Sequence, residues 1–196
     1  SKSTGQALGD VLQAIEAIEG TAFNDVFKAG NTLTAIDYKG GAGTDTVNFS
    51  ASGTAVQINL VDNQIGNTSA SAAAATGGHA QGAHFDAIEN IVGSNFDDSL
   101  AGNAVNNLLA GGFGNDTLFA SGGDDTLNGG DGSDNLNQSY SDTVSFATWD
   151  ADWGTDMTKG VTISLAIDTA QSISQSGDSV TLQEIENIKG SNRSEE

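Results

Sequence analysis

The sequence predicts an all-β fold in which short strands stack into a solenoid, and three observations lead to this prediction. Five nine-residue units follow one another without a gap between Gly93 and Asn137. Leucine stands at the eighth position of every unit. The segment around Val56, Ile58 and Leu60 alternates apolar residues with a period of two, which is typical of a strand with one buried face. A short period kept in register indicates stacked repeats, each of which buries its apolar face against the next.

The nine-residue units keep their sixth and eighth positions in phase. The sixth positions are Asp98, Asn107, Asp116, Asp125 and Asp134, and the eighth are Leu100, Leu109, Leu118, Leu127 and Leu136. Further matches begin at Gly20 and Gly40. The glycines permit a positive φ, so that backbone carbonyls can turn inward. Aspartate adds the hard oxygen ligands that Ca²⁺ prefers, and the apolar position is the inward side chain of a short strand.

This pattern resembles the RTX (repeats-in-toxin) nonapeptide, G-G-x-G-x-D-x-U-x, in which U is a large apolar residue. The units from Gly40, Gly111 and Gly129 match it fully. The resemblance implies a parallel β-roll, or β-solenoid, with several Ca²⁺ ions held between stacked turns by carboxylates and turn carbonyls. The metal-binding residues that it implies are Asp25, Gly41, Gly43, Asp45, Asp98, Asn107, Gly112, Gly114, Asp116, Gly123, Asp125, Gly130, Gly132 and Asp134.

Two units should form one coil, so that each unit stacks on the second unit along the chain. Adjacent coils lie about 4.8 Å apart, and we expect Asp116 and Asp134 to be neighbours that repel by roughly 3 kcal/mol at an effective dielectric of 20. The metal-free roll is therefore expected to be unfolded or molten, and the best-supported ion to lie between the turns from Gly111 and Gly129. Asn107 replaces aspartate in a unit that lacks two glycines, so its site is expected to be weak or absent.

The composition excludes several classes of partner. Asp and Glu total 26 against 6 Lys and Arg, which gives a formal charge of -20. Nucleic acid and anionic membrane surfaces are disfavoured, because little positive charge opposes the phosphates. The chain has no cysteine, and metal is the usual substitute for disulfides in closing loops. No apolar run is long enough for a transmembrane helix, and we expect no membrane insertion.

A longer similarity surrounds the nonapeptides. The segment Asp45–Phe49 is similar to Asp142–Phe146, and Ile88–Ile91 is similar to Ile185–Ile188, each pair being 97 positions apart. A third copy of the second motif is Ile15–Ile18. These similarities predict the following organisation: residues 1–19 as the end of a preceding module or a short helix over Gln6–Ile18, 20–92 as a first module with a long loop at 62–83, 93–189 as a second module with tandem nonapeptides at 93–137, and 190–196 as the start of a further, truncated repeat.

Motifs for catalysis, such as G-x-S-x-G and H-E-x-x-H, are absent from the sequence, and we expect no enzyme. The resemblance implies a secreted bacterial protein exported by type I secretion, with the module at the cell surface or outside the cell. Three functions remain open: a structural or spacer part of an adhesin or surface protein, the non-catalytic module of an exported protease, lipase or alginate epimerase, and a solenoid polysaccharide lyase or epimerase. Neighbouring modules and a carbohydrate or cell-surface ligand are possible partners. The acids beside Trp149 and Trp153 leave open an auxiliary cation site or a sugar-stacking platform.

Overall fold

The computed structural model describes residues 15–30, 35–61, 75–130, 141–146, 171–172 and 179–189, and these residues form strands joined by tight turns. One 3-10 turn, Gly78–Ala80, is present, and no α-helix occurs among the described residues. The strands are β1 (Ala17–Glu19), β2 (Val26–Lys28), β3 (Asp37–Lys39), β4 (Thr46–Asn48), β5 (Gln57–Asn59), β6 (His84–Asp86), β7 (Asn90–Val92), β8 (Ser99–Ala101), β9 (Leu108–Ala110), β10 (Thr117–Phe119), β11 (Asp124–Asn128), β12 (Thr143–Ser145), β13 (Gln171–Ser172), β14 (Ser179–Gln183) and β15 (Asn187–Lys189).

The strands form three sheets. Sheet A has the order β1-β3-β6, sheet B has the order β13-β14-β11-β9-β7-β4-β2, and sheet C has the order β15-β12-β10-β8-β5. Every pairing between these strands is parallel except that of β13 with β14. From β7 to β12 the chain alternates between sheets B and C, so that each coil has one strand in each sheet. The predicted parallel β-roll is confirmed.

The predicted stacking of every second unit is confirmed within the tandem repeats. Leu118 of β10 pairs with Leu100 of β8, and Leu127 of β11 pairs with Leu109 of β9. The next step departs from the prediction, because β10 pairs on its other side with β12, through Leu118 and Val144. Both edges of β10 are therefore occupied without the strand predicted around Leu136, so the expected pairing of that strand with β10 is wrong. The first residues of its unit still stack on the unit from Gly111, because the N–H of Gly112 donates to the carbonyl of Gly129.

In the tandem repeats the core consists of two rows of inward side chains, one from sheet B and one from sheet C. Leu100, Leu109, Leu118 and Leu127 are fully buried, as the leucine at the eighth position predicts. The inward orientation predicted for Val56, Ile58 and Leu60 is also confirmed. A three-residue strand directs its central side chain to one face, so each coil fixes one pair of core residues and positions the turn that precedes each strand.

Larger aromatic residues fill the roll near its N-terminal end. The ring of Tyr38 stacks on Phe85, with centroids 5.7 Å apart and an interplanar angle of 9°. Phe49 meets both rings edge-on, and Phe27 lies against Tyr38 with a centroid distance of 5.9 Å. Offset and edge-to-face contacts of this kind are the favoured aromatic geometries. At this end, aromatic rings from strands of sheets A and B take the place that leucine side chains take in the tandem repeats.

The predicted segments have different outcomes. Ala17 and Ile18 lie in strand β1, so the helix proposed over Gln6–Ile18 is wrong at its C-terminal end, and residues 6–14 lie outside the described part. In the long loop predicted at 62–83, residues 75–83 are described, and Ala75, Ala80 and Ala83 are buried. Strands from both predicted modules pair with each other, β5 with β8 and β7 with β9. The module boundaries themselves stay predictions, and residues 147–170 with both tryptophans, and 190–196, lie outside the described residues.

Candidate metal centre

The turns are shaped by glycines that no other residue can replace without strain. Gly112 has a φ of +114° and Gly114 a φ of +129°, a region that residues with a Cβ rarely adopt. A Cβ on Gly114 would also collide with the backbone of Phe96 in the turn below. The same conformation occurs at the predicted positions Gly41, Gly43, Gly123 and Gly130. Consecutive turns can therefore stack with their backbones in contact.

One row of acidic side chains joins the turns that precede the strands of sheet C. We call it the C ladder and define it as Asp98, Asp116, Asp142 and Glu186. The Oδ1 atom of Asp116 accepts the N–H of Asp98 at 2.7 Å, and the Oδ1 of Asp142 accepts the N–H of Asp116 at 2.7 Å. The Oε2 of Glu186 accepts the N–H of Asp142 at 2.8 Å. Each acid thus ties its own turn to the turn before it.

A second row lies before the strands of sheet B, and we define this B ladder as Asp25, Asp45, Glu89, Asn107 and Asp125. The Oδ1 of Asp45 accepts the N–H of Asp25 at 2.7 Å, and the Oε2 of Glu89 accepts the N–H of Asp45 at 2.7 Å. Further along, the Oδ1 of Asp125 accepts the N–H of Asn107 at 3.0 Å. The side-chain amide of Asn107 donates to the carbonyl of Glu89 at 2.7 Å, which links the two parts of the row.

The second carboxylate oxygen distinguishes the turns from one another. The Oδ2 of Asp98 accepts the N–H of Ser94 at 2.5 Å, and the Oδ2 of Asp125 accepts the N–H and the hydroxyl of Ser121 at 3.0 and 2.8 Å. In contrast, the Oδ2 atoms of Asp45 and Asp116 are buried and have no hydrogen-bond partner. Both residues are at most 1% exposed. A buried carboxylate oxygen without a partner carries a large desolvation cost, which a bound cation would remove.

A carbonyl oxygen accompanies each of these two carboxylate oxygens. A Cβ built on Gly40 would collide with both the carbonyl oxygen of Ala87 and Oδ2 of Asp45. A Cβ built on Gly111 would likewise collide with Oδ2 of Asp116 and would lie 2.6 Å from the carbonyl oxygen of Gly129. The first glycine of each turn therefore provides a cradle where oxygens from two stacked coils converge.

The C ladder shifts the ionisation of its own members. The pKa of Asp116 is raised to about 8, chiefly by burial and also by the charges of Asp98 and Asp142, while the hydrogen bond from the N–H of Asp98 acts in the opposite direction. Burial raises the pKa of Asp142 to about 6, with the charge of Glu186 acting in the same direction. The pKa of Asp98 is also raised by burial. Without a cation, the ladder therefore holds protons at pH values where isolated carboxyls have lost them.

The acidic side chain that lies against Gly129 is Asp142, a residue that the sequence analysis did not assign to the metal site. The side chain of Asp142 lies against Gly129, as Asp116 lies against Gly111, and the carbonyl of Glu184 reaches the same glycine. Asp142 thus occupies the ladder position expected of Asp134. Asp134 and Gly132 lie outside the described residues, and Gly130 stacks on Gly112 as predicted.

Glu89 and Glu186 are the other ladder members that the sequence analysis did not assign. Their signal was the motif that recurs 97 positions apart, from which only the organisation into modules was predicted. Each glutamate follows a non-glycine residue in the left-handed conformation, Ala87 with φ +50° and Glu184 with φ +51°. The carbonyls of these two residues contact Gly40 and Gly129, so the motif supplies both a carbonyl and a carboxylate to an equivalent turn in each half.

The comparisons with known proteins agree with this geometry. A model of the RTX calcium-binding nonapeptide repeat, in four copies, matches residues 102–136. The chain carries RTX calcium-binding repeats. RTX nonapeptide repeats bind calcium ions, and Ca²⁺ is the metal of this protein. No curated protein matches the chain significantly. Among the described residues, no helix is both long and apolar enough to cross a bilayer.

The donor set at the turns of the RTX repeats fits Ca²⁺. In the described part of the chain, no group of three or more His, Cys, Asp or Glu side chains could hold a metal ion. The oxygens that lie beside Oδ2 of Asp45 and of Asp116 are backbone carbonyls. Hard carboxylate and carbonyl oxygens suit Ca²⁺ and do not suit the softer transition metals. Asp45 and Asp116 would contribute the charged oxygen, and the bound ion would neutralise it. The ligand roles of the individual predicted residues stay predictions.

Proposed function

We propose that this chain is an extracellular structural module, the spacer of a secreted bacterial adhesin or surface protein, which completes its fold by binding Ca²⁺. The observation that carries the proposal is the pair of buried, unpartnered oxygens on Asp45 and Asp116, each beside a carbonyl of the next coil. Such oxygens destabilise the metal-free roll and bind a hard cation when one is available. Binding free energy then becomes folding free energy.

The concentration of Ca²⁺ makes this folding specific to a compartment. Extracellular calcium modules bind with dissociation constants of roughly 10⁻⁴ to 10⁻³ M, far above the calcium level of a cytosol. The chain would remain loosely folded before export through a type I secretion system and would become compact outside the cell. Its formal charge of -20 favours the same order of events, because self-repulsion opposes compaction until cations bind.

The unbroken stacking of coils across the predicted module boundary favours a spacer over a catalyst. Sheets B and C pass across the boundary predicted at residues 92 and 93 through the pairings of β7 with β9 and β5 with β8. Asp45 with Glu89 and Asp142 with Glu186 repeat one arrangement in the two halves. A stack of equivalent units that extends along one direction suits a rod.

The test of calcium-dependent folding is a Ca²⁺ titration of the chelator-treated chain, followed by far-UV circular dichroism and by hydrodynamic radius. We expect the β signal and the compactness to rise with Ca²⁺ between about 10⁻⁴ and 10⁻³ M. Mg²⁺ is the control, because it dehydrates reluctantly and demands near-octahedral geometry. Identical spectra, radii and urea midpoints in chelator and in millimolar Ca²⁺ would contradict the proposal.

The spacer role has its own test. The sequence of the parent protein on both sides should contain further modules of this kind if the chain is a spacer. A flanking protease, lipase or epimerase domain would instead make it the calcium-binding module of an exported enzyme. Turnover of alginate or pectin by the isolated, calcium-loaded chain would overturn the non-catalytic assignment altogether.

A further inference from the structure

The described turns with aspartate at the sixth position are of two kinds, and the residue after the first position separates them. In one kind that residue carries a hydroxyl group, as at Thr21, Ser94 and Ser121. In the other it is a glycine with positive φ, as at Gly41 and Gly112. The sixth residue is aspartate in all five turns, so a simple repeat pattern assigns the same role to each.

The hydroxyl turns satisfy their carboxylates from within the protein. Asp98 accepts the N–H and the Oγ–H of Ser94 at 2.5 and 2.8 Å, and the N–H of Val56 at 2.7 Å. Thr21 also donates both its N–H and its hydroxyl to Asp25, at 2.6 and 3.0 Å. Hydrogen bonds to an ionised acceptor are about twice as strong as neutral ones. These carboxylates are held in place without a cation.

The glycine turns lack both donors. The N–H of Gly112 donates to the carbonyl of Gly129 at 3.0 Å instead of turning back to Asp116, and glycine has no hydroxyl to offer. Oδ2 of Asp116 is consequently left without a partner, although the residue is only 1% exposed. Asp45, after Gly41, is in the same situation and is 0% exposed.

We propose that, among the turns described throughout, Ca²⁺ binds at Asp45 and Asp116 and that the hydroxyl turns of Thr21, Ser94 and Ser121 hold their aspartates without an ion. The inference rests on the proposed function and deepens it. It places one ion on each ladder, and the ion at Asp45 lies outside the segment, residues 102–136, that the family model matches. The hydroxyl turns then act as metal-free supports beside the glycine turns.

The experiment counts bound Ca²⁺ on the full chain by equilibrium dialysis, comparing four matched substitutions: Asp45→Asn, Asp116→Asn, Asp98→Asn and Asp125→Asn. Asparagine removes the charge at nearly the same size and keeps Oδ1 as an acceptor. Asn107 already stands at the sixth position of a turn in this chain, where its amide oxygen accepts the N–H of Asn103 in the same turn. We expect Asp45→Asn and Asp116→Asn each to bind one ion fewer than the wild-type chain. The other two variants should bind the wild-type number.

A second pair of variants keeps the test informative if a charge change prevents folding. Ser94→Ala and Ser121→Ala remove only the hydroxyl group and leave the carboxylate and its backbone donor in place. We expect a lower urea midpoint in chelator and an unchanged number of bound ions. Loss of an ion in either serine variant would overturn the assignment of these turns as metal-free.

The outcomes separate this inference from the proposed function. An equal loss of one ion in all four asparagine variants would overturn the division of the turns, while calcium-dependent folding would still stand. A wild-type chain that binds no Ca²⁺ at millimolar concentration would overturn both. Loss of an ion only in Asp45→Asn and Asp116→Asn supports both.

Discussion

Replacing Asp116 by asparagine should change stability in opposite directions in chelator and in Ca²⁺. The substitution keeps the Oδ1 atom that accepts the N–H of Asp98 at 2.7 Å. It removes a buried acid whose Oδ2 has no partner in the metal-free protein. It also removes the charged ligand of the glycine turn. The free energy of unfolding of the variant should therefore be higher than that of the wild-type chain without the ion and lower with it.

The magnitude follows from the ionisation of Asp116. The pKa is raised from 3.8 to about 8 in the folded protein, and one pKa unit corresponds to about 1.36 kcal/mol. At pH 7 this linkage costs the metal-free fold at most about 4 kcal/mol. A buried amide N–H₂ without a partner costs roughly 1–3 kcal/mol, so the net gain in chelator should be about 1–3 kcal/mol. In Ca²⁺ at a hundred times the dissociation constant, the wild-type site contributes about 2.7 kcal/mol that the variant lacks.

The assay is urea denaturation at pH 7, followed by far-UV circular dichroism, in chelator and in saturating Ca²⁺. The urea midpoint of Asp116→Asn should lie above that of the wild-type chain in chelator and below it in Ca²⁺. Asp124→Asn is a matched control, because Asp124 is an exposed acid in the same stretch of turns. A lower midpoint for Asp116→Asn in chelator would refute the reasoning, because it would mean that the buried carboxyl stabilises the metal-free roll.

Three further predictions concern pH, the cradle and the core. The folded-state pKa of Asp116 lies above the unfolded value, so the metal-free fold should lose stability as pH rises from about 4 to 8. Urea midpoints in chelator at pH 5 and pH 8 check this prediction, and a midpoint that rises with pH would contradict it. Gly111→Ala should abolish one bound ion, because the new Cβ would collide with the Asp116 carboxylate. Gly53→Ala is the control, since a Cβ there meets open space and should leave the number of bound ions unchanged. Equal numbers of bound ions for the two variants in dialysis would contradict this prediction. Leu118→Ala empties a fully buried position and should lower the free energy of unfolding in Ca²⁺ by about 2–5 kcal/mol. Leu108→Ala, at a position that is 41% exposed, should lower it far less. Equal losses in urea denaturation would place Leu118 outside the core.

The stacking of the coils could be predicted from the sequence because two local signals agree. Leucine at each eighth position fixes which face of a three-residue strand is buried, and glycine fixes where the chain turns. Leu100 and Leu118 accordingly form one buried row, and Leu109 and Leu127 form a second, in the expected pairs. A one-residue slip would turn these side chains to solvent, so the register follows directly from the period.

The end of the tandem run could not be predicted from the period alone. The unit from Gly129 has the full RTX pattern with Asp134 at its sixth position, yet the rung beside Asp116 is filled by Asp142. Val144 of strand β12 and Phe146, which follows the strand, are completely buried, and the burial of these apolar side chains favours this segment at that position. The similarity of this segment to the one that begins at Asp45 was the available signal.

The division of the aspartates into satisfied and unsatisfied groups also escaped the sequence analysis. It depends on whether the second residue of the turn directs its N–H back to the aspartate, as Ser94 does, or forward to the next coil, as Gly112 does. Backbone direction of this kind is set by three-dimensional stacking and is invisible in a consensus. The hydroxyl residue itself, however, was visible at that position in the turns of Thr21 and Ser121.

Ca²⁺ is expected to bind where a buried carboxylate oxygen that has no hydrogen-bond partner meets a carbonyl of the next coil beside a glycine, as at Asp45 and Asp116. Diffraction from crystals of the chain grown with Ca²⁺, with the anomalous signal of the ion, tests it most directly. Anomalous peaks are expected between the coils, within ligand distance of Oδ2 of Asp45 and of Asp116. Peaks confined to exposed carboxylates, with Oδ2 of both residues bonded only to protein or water, would contradict it.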